Sequence, residues 1–207
     1  MSSFKKGGMF ILSSPSGAGK TTLVKKISKN KNFFVSISHT TRLPRPNEIN
    51  GKDYYFISKN HFKKLIKKGK FLEHARVFEN YYGSSKDIVI NKLKSGKNII
   101  FDIDWQGTRQ IRNKKLKYKL LTIFILPPSK KELLKRLIKR EKKNMSTVKK
   151  RMKGFKKDLS KWRDYDYVLI NDNLKFCYKK IMYIINSKRK VFFNKKSISK
   201  HVKNLTS

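Results

Sequence analysis

Short runs of apolar residues alternate along this chain with longer segments in which apolar positions recur every three or four residues. The short runs have the length of buried β-strands, and the longer segments have the pattern of amphipathic helices. This alternation is typical of a parallel sheet covered by helices, so we predict an α/β fold. The predicted strands are Met9–Ser13, Asn98–Ile103, Leu121–Leu126 and Tyr165–Ile170.

The same pattern predicts helices between and after these strands. The basic tail after Lys188 is expected to end as a frayed helix. The other predicted helices are Lys20–Lys29, Lys86–Lys94, Gln106–Asn113, Ser129–Lys143, Thr147–Lys161 and Lys175–Asn186.

Two regions depart from the alternation. From about residue 36 to residue 84, the short β-type segments "FFVSISHTT", "DYYFIS" and "FLEHARVF" are separated by proline, asparagine and glycine, which predicts a small insert with antiparallel strands. Residues 127–155 begin with two prolines and form a basic pair of helices, which we interpret as a mobile lid. The predicted organisation is one domain, in which the core comprises 1–35, 85–126 and 156–207, the last including the basic tail.

Charge is the least usual feature of the composition. The 207 residues include 53 Lys and Arg but only 13 Asp and Glu, which gives a formal net charge of +40. Such a charge attracts polyanions, so nucleic-acid binding is one interpretation. We favour the alternative that lysine has accumulated at solvent-facing positions, because lysines occur in almost every segment and the aromatic residues form no RNA-binding signature. Non-specific affinity for nucleic acid is expected in either case.

Composition also bears on where the protein acts. The longest apolar runs are much shorter than the roughly 20 residues that cross a bilayer, and the N-terminus does not have the pattern of a secretory signal. The single cysteine, Cys177, rules out an intrachain disulfide. We therefore expect a cytoplasmic protein in which Cys177 is a buried apolar side chain and not a nucleophile.

The strongest motif, "SSPSGAGKTT", directly follows the first predicted strand. Gly17 and Gly19 allow successive backbone N–H groups to face a phosphate at the start of a helix. Lys20 adds a positive charge, and the Thr21 hydroxyl can bind Mg²⁺. Ser14 replaces the first glycine of the usual pattern, and the alternative is a glycine-rich turn that caps a helix. The expected phosphate-binding residues are Ser14, Pro15, Ser16, Gly17, Ala18, Gly19, Lys20, Thr21 and Thr22.

Further polar residues follow in the insert and at a strand end. Arg42 and Arg45 lie in a proline-stiffened stretch, and two guanidinium groups can hold one phosphate through paired hydrogen bonds. Asp102 lies at the carboxyl end of a predicted strand, which is where ligands bind in open α/β sheets. Taken singly, each residue has a structural alternative. Glu73, for example, could be a strand-face carboxylate paired with a lysine, and for an isolated residue this structural interpretation is favoured.

The motifs, in their order, closely resemble those of the guanylate kinase family. The resemblance runs from the phosphate loop through "SHTTR-PRP", "FLEHA-V--NYYGSS", "DIDWQG" and "IFILPPS" to "YDYVLIND", nearly the whole chain. It implies a P-loop kinase with a parallel sheet flanked by helices, a small mixed α/β GMP-binding insert and a helical lid. The implied GMP site consists of Ser38, Arg42, Arg45, Tyr54, Glu73, Tyr82, Ser84 and Asp102.

The chemistry of guanine agrees with this implied site. Guanine presents N1–H and an amino group as adjacent donors, so Glu73, supported by Asp102, is expected to accept from them. Ser38 and Ser84 are expected to donate to O6. Adenine has the opposite polarity at these positions, so a buried carboxylate would be left without a partner and AMP should be rejected.

The resemblance also assigns residues to ATP. Arg140 and Arg151 align with arginines that the family uses on the phosphates of ATP, and Arg136 is a further candidate. Asn171 resembles a residue that contacts adenine, although an asparagine at a strand end is as often a turn residue.

The lid departs from the family pattern at two places. Glu141 replaces a glycine expected after Arg140, and Lys143–Ser146 lack the acidic residues common at the hinge. Both departures bear on whether the lid moves as it does in the family.

The implied reaction is direct, in-line transfer of the γ-phosphoryl group of ATP to GMP, and dGMP is expected to be accepted as well. Lys20, Arg42, Arg140 and Arg151 are the expected catalytic residues, and Mg²⁺ is expected on Thr21 and Asp102. His39 and His74 are expected to be neutral or structural, because this chemistry needs no covalent histidine.

The implied enzyme is a monomer or homodimer that supplies GDP for GTP synthesis. Three alternatives remain: a binding module that has kept the fold without the chemistry, a nucleic-acid-binding protein, and a kinase of another nucleotide or metabolite. The intact phosphate loop argues against the first, and the set of Glu73, Ser38 and the paired arginines argues against the third.

Overall fold

Strands and helices alternate in the computed structural model, which describes residues 7–141, 144–187 and 194–206. The strands are β1 (Gly8–Ser13), β2 (Phe33–Ser36), β3 (Ser38–Thr40), β4 (Tyr55–Phe56), β5 (Phe71–Val77), β6 (Asn80–Ser85), β7 (Asn98–Asp102), β8 (Lys119–Leu126) and β9 (Tyr167–Ile170). The helices are α1 (Lys20–Ile27), α2 (Lys59–Lys67), α3 (Lys86–Lys94), α4 (Trp105–Asn113), α5 (Lys130–Arg140), α6 (Met145–Leu159), α7 (Leu174–Asn186) and α8 (Lys195–Thr206).

The chain divides into two compact units. The first unit contains the residues up to Ile11 together with Ser28–Leu120, and the second contains Leu12–Ile27 together with the residues from Leu121 onward. Among the helices that the structure describes, none combines the length and the apolarity that crossing a bilayer requires.

Parallel strands form the core of the first unit. Strand β2 pairs in parallel with β7, from Phe33 opposite Asn98 to Ser36 opposite Phe101, and β1 is the other neighbour of β7. The centre of β7 is fully buried, as expected for a parallel strand covered on both faces. This core consists of side chains from β1, β5, β7, α3 and α4 and from the residue that follows β7: Met9, Ile11, Leu72, Val89, Leu93, Ile99, Phe101, Ile103 and Ile111.

The predicted insert is a second sheet of the first unit, with the strand order β4-β3-β6-β5. Strand β6 is antiparallel to both β3 and β5, as predicted for this region, but the short pair of β3 and β4 is parallel. The segment "FFVSISHTT" is divided at Ile37, so that β2 pairs with β7 and β3 belongs to the insert. Strand β6 was not predicted. The mixed α/β character implied for the insert includes a helix, for which no bounds were predicted; this helix is α2, which is capped by the Ser58 hydroxyl accepting from His61 N–H.

The second unit has its own parallel pair and its own core. Strand β8 pairs with β9, from Ile123 opposite Tyr167 to Leu126 opposite Ile170. Helices α5 and α6 are the predicted pair, and their buried faces pack into the core of this unit with β8. The predicted helix Ser129–Lys143 is observed as α5 from Lys130 to Arg140, with Glu141 as its C-cap, and residues 142 and 143 lie outside the described residues.

The C-terminal helix is better packed than the sequence suggested. Ile198 and Leu205 of α8 are buried in the same core as α5 and α6, so α8 is an integral element and the expectation of a frayed end was wrong. Residues 188–193 of the predicted tail lie outside the described residues. The predicted α/β class, with a parallel sheet flanked by helices, is confirmed.

Candidate functional site

The phosphate loop lies in the second unit, between the end of β1 at Ser13 and the start of α1 at Lys20. Gly17 and Gly19 have φ angles of 92° and 97°, which side-chain-bearing residues rarely adopt. A Cβ atom on Gly19 would also lie 2.3 Å from Nδ2 of Asn171. The loop conformation therefore requires glycine at both positions, which agrees with the predicted cradle of backbone N–H groups.

Lys20 and Thr21 form the first turn of α1, with Thr21 exposed. An anion at this end of α1 would be favoured by the helix dipole and by the charge of Lys20. Ser14, in place of the usual glycine, donates its hydroxyl hydrogen to the Pro15 carbonyl at 2.9 Å. The substituted position thus keeps a local hydrogen bond within the loop.

Within residues 7–141, 144–187 and 194–206, no three His, Cys, Asp or Glu side chains cluster as a metal site would require. Mg²⁺ is commonly held by one or two protein oxygens together with phosphate oxygens and water, so the Thr21 hydroxyl beside a bound phosphate fits this ion. Thr21 belongs to the second unit and Asp102 to the first.

Two arginines predicted to bind ATP lie against the phosphate loop. Nη2 of Arg140 and Nη1 of Arg151 both donate to the Ser16 hydroxyl, at 2.7 and 2.9 Å. Glu141 contacts both guanidinium groups on their other edge, 2.9 Å from Nε of Arg140 and 3.1 Å from Nε of Arg151. Arg136, the further candidate, forms an ion pair with Glu132 one turn away on α5.

Asn171 directly follows β9 and is almost completely buried. Its Nδ2 group donates to the carbonyl of Ala18 in the phosphate loop at 2.8 Å. Its Oδ1 atom has no hydrogen-bond partner among the described residues. Buried acceptors usually have partners, so this atom marks a place where a ligand donor would be stabilising. An adenine amino group is a donor of the required kind.

Three residues of the predicted GMP site lie in a row across the insert. Ser38 of β3 is opposite Ser84 of β6, and Ser84 is opposite Glu73 of β5. All three side chains are buried. The Ser84 hydroxyl donates to Oε1 of Glu73 at 2.7 Å. Since a hydroxyl has one hydrogen, Ser84 can donate to guanine O6 only if this bond breaks, which leaves Ser38 as the better candidate for that contact.

Glu73 is positioned from its other side by α4. A Cβ atom on Gly107 would lie 2.3 Å from Oε2 of Glu73, so the carboxylate packs directly on the first turn of this helix. Asp104 caps the helix by accepting from Gln106 N–H and Gly107 N–H. The N-terminal end of a helix favours a nearby negative charge. The first turn of α4 therefore provides a favourable electrostatic environment for the Glu73 carboxylate.

The predicted phosphate-binding arginines share one carboxylate, that of Glu48. Nη2 of Arg42 lies 2.9 Å from both oxygens of Glu48, and the backbone N–H of Arg45 donates to Oε2 at 2.7 Å. The Arg45 guanidinium is 3.5 Å from Oε1. Burial alone would lower the pKa of Arg42, but the hydrogen bond to Glu48 and the nearby Tyr82 raise it, so the guanidinium remains charged.

Tyr54 and Tyr82 adjoin this arginine cluster. Their rings are 6.1 Å apart in an edge-on arrangement, and the Arg42 guanidinium lies 5.4 Å from the centre of the Tyr54 ring. Burial raises the pKa of Tyr54, and the negative charge of Asp102 raises it further. The Tyr54 hydroxyl is therefore protonated at neutral pH and can donate to a phosphate.

His39, His74 and Cys177, for which the sequence predicts no catalytic role, lie in environments that keep them uncharged. Burial lowers the pKa of His39 and of His74, and the His39 ring stacks on Tyr55 at 4.8 Å. Both histidines are therefore neutral at pH 7, as expected. Cys177 is buried, as expected, and burial raises the pKa of its thiol to about 12.

In each unit several of the predicted residues are in contact with one another, but sequence reasoning missed the residues that support them. Glu48 and Gly107 were not singled out, and Glu141 was noted only as a departure from the family pattern. Glu48 had a signal in the sequence, because an acid three residues after Arg45 in a proline-containing turn is well placed to bind it. Gly107 had none, since its importance lies in a contact with β5.

Comparisons with known proteins agree with this picture. The family model "Guanylate kinase" matches residues 6–188. The guanylate kinase of Ruegeria pomeroyi is 43% identical over 204 residues, which are 98% of this chain and 96% of that protein. The guanylate kinase of Buchnera aphidicola subsp. Baizongia pistaciae is 47% identical over 183 residues, 87% of each chain. The crystal structure of guanylate kinase from Anaplasma phagocytophilum superposes with a TM-score of 0.73 at 33% identity and covers 87% of this chain and 85% of that one. This chain belongs to the guanylate kinase family.

Proposed function

We propose that the protein transfers the γ-phosphoryl group of ATP to GMP, giving ADP and GDP. The choice of GMP as the acceptor rests on the buried carboxylate of Glu73. This carboxylate accepts a hydrogen bond from Ser84 and packs on the first turn of α4. Its remaining acceptor capacity suits the adjacent N1–H and amino donors of guanine. In AMP, the ring nitrogen at this position is an acceptor, so a buried charge would lose its partner at a cost of about 1–3 kcal/mol or more.

The acceptor phosphate would be held by Arg42, Arg45 and the two tyrosines. Glu48 keeps both arginines in one cluster, and their charge matches a phosphate dianion. Tyr54 and Tyr82 supply neutral hydroxyl donors without adding charge. This set orients the acceptor phosphate, which lowers the entropy that must be lost in reaching the transition state.

The donor would bind through the second unit. The phosphate loop and Lys20 hold its phosphates, and Arg140 and Arg151 at Ser16 add charge that stabilises the transferred group. Asn171 would accept from the adenine amino group through Oδ1. Mg²⁺, bound by the Thr21 hydroxyl, would neutralise phosphate charge.

The proposed chemistry is direct transfer. An ionised oxygen of the GMP phosphate attacks the γ-phosphorus, and the bond from that phosphorus to the β,γ-bridging oxygen breaks, so ADP leaves with the electron pair. No side chain is phosphorylated. No general base is required, because the attacking oxygen already carries negative charge at neutral pH.

We further propose that dGMP is an acceptor, because the contacts proposed above are to the base and the phosphate and none depends on the ribose 2′-hydroxyl. The protein is proposed to act in the cytoplasm as a monomer or homodimer, where the GDP it forms is the precursor of GTP. Non-specific nucleic-acid affinity would accompany this activity because of the net charge of +40.

The deciding experiment measures ADP formation from Mg-ATP with GMP, dGMP, AMP, UMP or no acceptor, using nuclease-treated protein at moderate salt. Turnover with GMP and dGMP alone is the expected result, and Lys20→Ala, which removes the charge at the donor phosphates, serves as the inactive control. Folded protein without GMP-dependent turnover would overturn the proposal and favour a binding role for the fold.

A further inference from the structure

Glu141 directly follows the last residue of α5 as its C-cap and lies between two arginines of the second unit. Its side chain is only 10% exposed, and its Oε1 atom is 2.9 Å from Nε of Arg140 and 3.1 Å from Nε of Arg151. The same carboxylate thus holds residues from α5 and from α6. Its backbone N–H also closes the last turn of α5 by donating to the Leu137 carbonyl at 2.9 Å.

The opposite edges of both guanidinium groups point to the phosphate loop. Nη2 of Arg140 and Nη1 of Arg151 both donate to the hydroxyl oxygen of Ser16. The Arg140 guanidinium is therefore held at two edges by hydrogen bonds, to the carboxylate through Nε and to the loop through Nη2. Arg151 donates to the loop through Nη1, and its Nε is in ion-pair contact with the carboxylate without a hydrogen bond to it. Because a guanidinium is planar, the two hydrogen bonds fix the direction in which the remaining N–H groups of Arg140 point, and the ion pair keeps Arg151 beside them.

Two positive groups that meet at one hydroxyl repel each other. At the few ångströms that separate such groups, the repulsion is substantial when the site is shielded from water. A carboxylate in contact with both groups cancels part of it. In the described residues, Glu141 occupies that position, so the paired arrangement of Arg140 and Arg151 at Ser16 depends on its charge.

This ion pair differs from the ordinary surface pairs of the molecule. The exposed pair of Lys70 and Asp87 has side chains 54% and 62% exposed, whereas Arg151 and Glu141 are 15% and 10% exposed. Exposed pairs of this kind contribute little to stability or geometry because water screens them. A partly buried pair is screened less, and removal of one partner leaves the other charge without compensation.

We propose that Glu141 is a positioning residue for the donor site, which holds the Nη groups of Arg140 and Arg151 at the phosphate loop where the transferred phosphoryl group binds. The inference rests on the proposed function. Glu141 acts through the arginines and does not touch the donor. The negative charge of Glu141 disfavours binding of the anionic donor in the ground state. Glu141 therefore contributes to the rate by placing the two arginines correctly for the transition state.

This role predicts a split between kcat and KM. Glu141→Gln keeps an acceptor oxygen for the arginines but removes the charge, and Glu141→Leu removes both. We expect kcat to fall by about tenfold to a hundredfold in Glu141→Leu and by less in Glu141→Gln, as for misplaced catalytic groups. The KM for ATP should stay unchanged or decrease, because a negative charge near the donor has been removed.

The test compares wild type, both Glu141 variants and Asp87→Asn, a control that also loses one carboxylate but at an exposed lysine pair. Thermal unfolding verifies that each protein is folded at the assay temperature, and calorimetric titration with ATP alone measures donor binding without an acceptor. A wild type that lacks turnover with GMP would refute the proposed function. An active wild type with equally active Glu141→Leu would refute the positioning role alone.

A double variant separates positioning from a general effect on the fold. If Glu141 acts through Arg140 and Arg151, Glu141→Leu should lower kcat by a smaller factor in an Arg140→Met or an Arg151→Met background than in the wild type. Full additivity of the effects on kcat in both backgrounds would overturn the proposal. So would a rise in kcat in Glu141→Leu, since it would identify the carboxylate as a competitor of the donor phosphates.

Discussion

At the residue scale, Glu73 determines which nucleobase the acceptor must have in the proposed reaction. Glu73→Gln preserves size but replaces one acceptor oxygen with an amino donor, which would face the donors of guanine. We expect the KM for GMP to rise about tenfold to a hundredfold, corresponding to about 1–3 kcal/mol for a mismatched buried polar group. The KM for ATP should change much less. Steady-state kinetics with each substrate varied in turn measures both values.

A matched control for Glu73 is Glu79→Gln, an exposed acid at the turn of the same hairpin. It removes the same charge without changing the buried row of Ser38, Ser84 and Glu73. Unchanged GMP kinetics in Glu73→Gln would remove Glu73 from the proposed site, and equal effects of both variants would reduce its role to general electrostatics.

Gly107 is a second residue whose replacement is informative. Alanine would place Cβ 2.3 Å from Oε2 of Glu73, so the carboxylate or α4 must shift. In an open helix position, Gly→Ala is stabilising by about 1 kcal/mol. Here we expect the reverse, a loss of about 1–3 kcal/mol typical of overpacking, with a GMP KM raised about tenfold. Urea unfolding and GMP kinetics measure the two effects, and a stabilised variant with normal KM would show that Gly107 does not position Glu73.

At the scale of elements, α8 is an integral part of the second unit. Leu205 is 1% exposed in the core shared with α5 and α6. Leu205→Ala should lower the free energy of unfolding by about 2–5 kcal/mol, the range for large-to-small core substitutions. The exposed Lys203→Ala on the same helix is the control. Chemical denaturation measures both, and a loss below about 0.5 kcal/mol, the range of surface substitutions, would show that α8 is not a structural element in solution.

Elements with a strong intrinsic pattern were predictable, and elements defined by their partners were not. The bounds of α3 were predicted without error, since Ser85 caps the helix and its apolar positions repeat regularly. Strand β6, "NYYGSS", has two tyrosines that favour strands, but Asn80 and Gly83 disfavour them and the segment has no apolar alternation. It forms because β3 and β5 pair with it on both sides.

Two further misses in the insert have different physical causes. The division of "FFVSISHTT" at Ile37 sends its halves to different sheets, and pairing partners distant in the sequence decide such a break. Helix α2 did have a signal, because Ser58 is a good cap and Phe62, Leu65 and Ile66 have helical spacing. The surrounding β-type segments obscured it.

In the candidate site, too, some residues could be predicted from the sequence and others depend on partners that meet only in the folded chain. The order of motifs was sufficient to predict roles for Glu73, Arg42 and the phosphate loop, because the proposed chemistry requires these residue types. The residues that hold them could not be assigned in this way. Glu48 and Glu141 act by closing ion pairs whose geometry exists only in the folded chain.

At the scale of the whole molecule, the net charge of +40 has a consequence separate from the proposed reaction. Binding to DNA or RNA by dispersed lysines releases counterions, so the logarithm of the affinity should fall by about 0.9 for each tenfold rise in salt per phosphate contacted. We expect measurable binding to unrelated duplexes at about 50 mM salt and loss of several orders of magnitude by about 200 mM. Fluorescence anisotropy with duplexes of different sequence measures this.

The kinetics of the proposed reaction should respond differently to salt. Its charged contacts, such as Arg42 with Glu48, are partly buried and are screened less than exposed lysines. Between the same salt concentrations we expect the KM values for GMP and ATP to change only a few-fold, while nucleic-acid affinity collapses. Sequence-specific binding that survives about 200 mM salt would contradict the interpretation of lysine as surface composition, because selective, salt-resistant recognition requires contacts that dispersed charge does not provide.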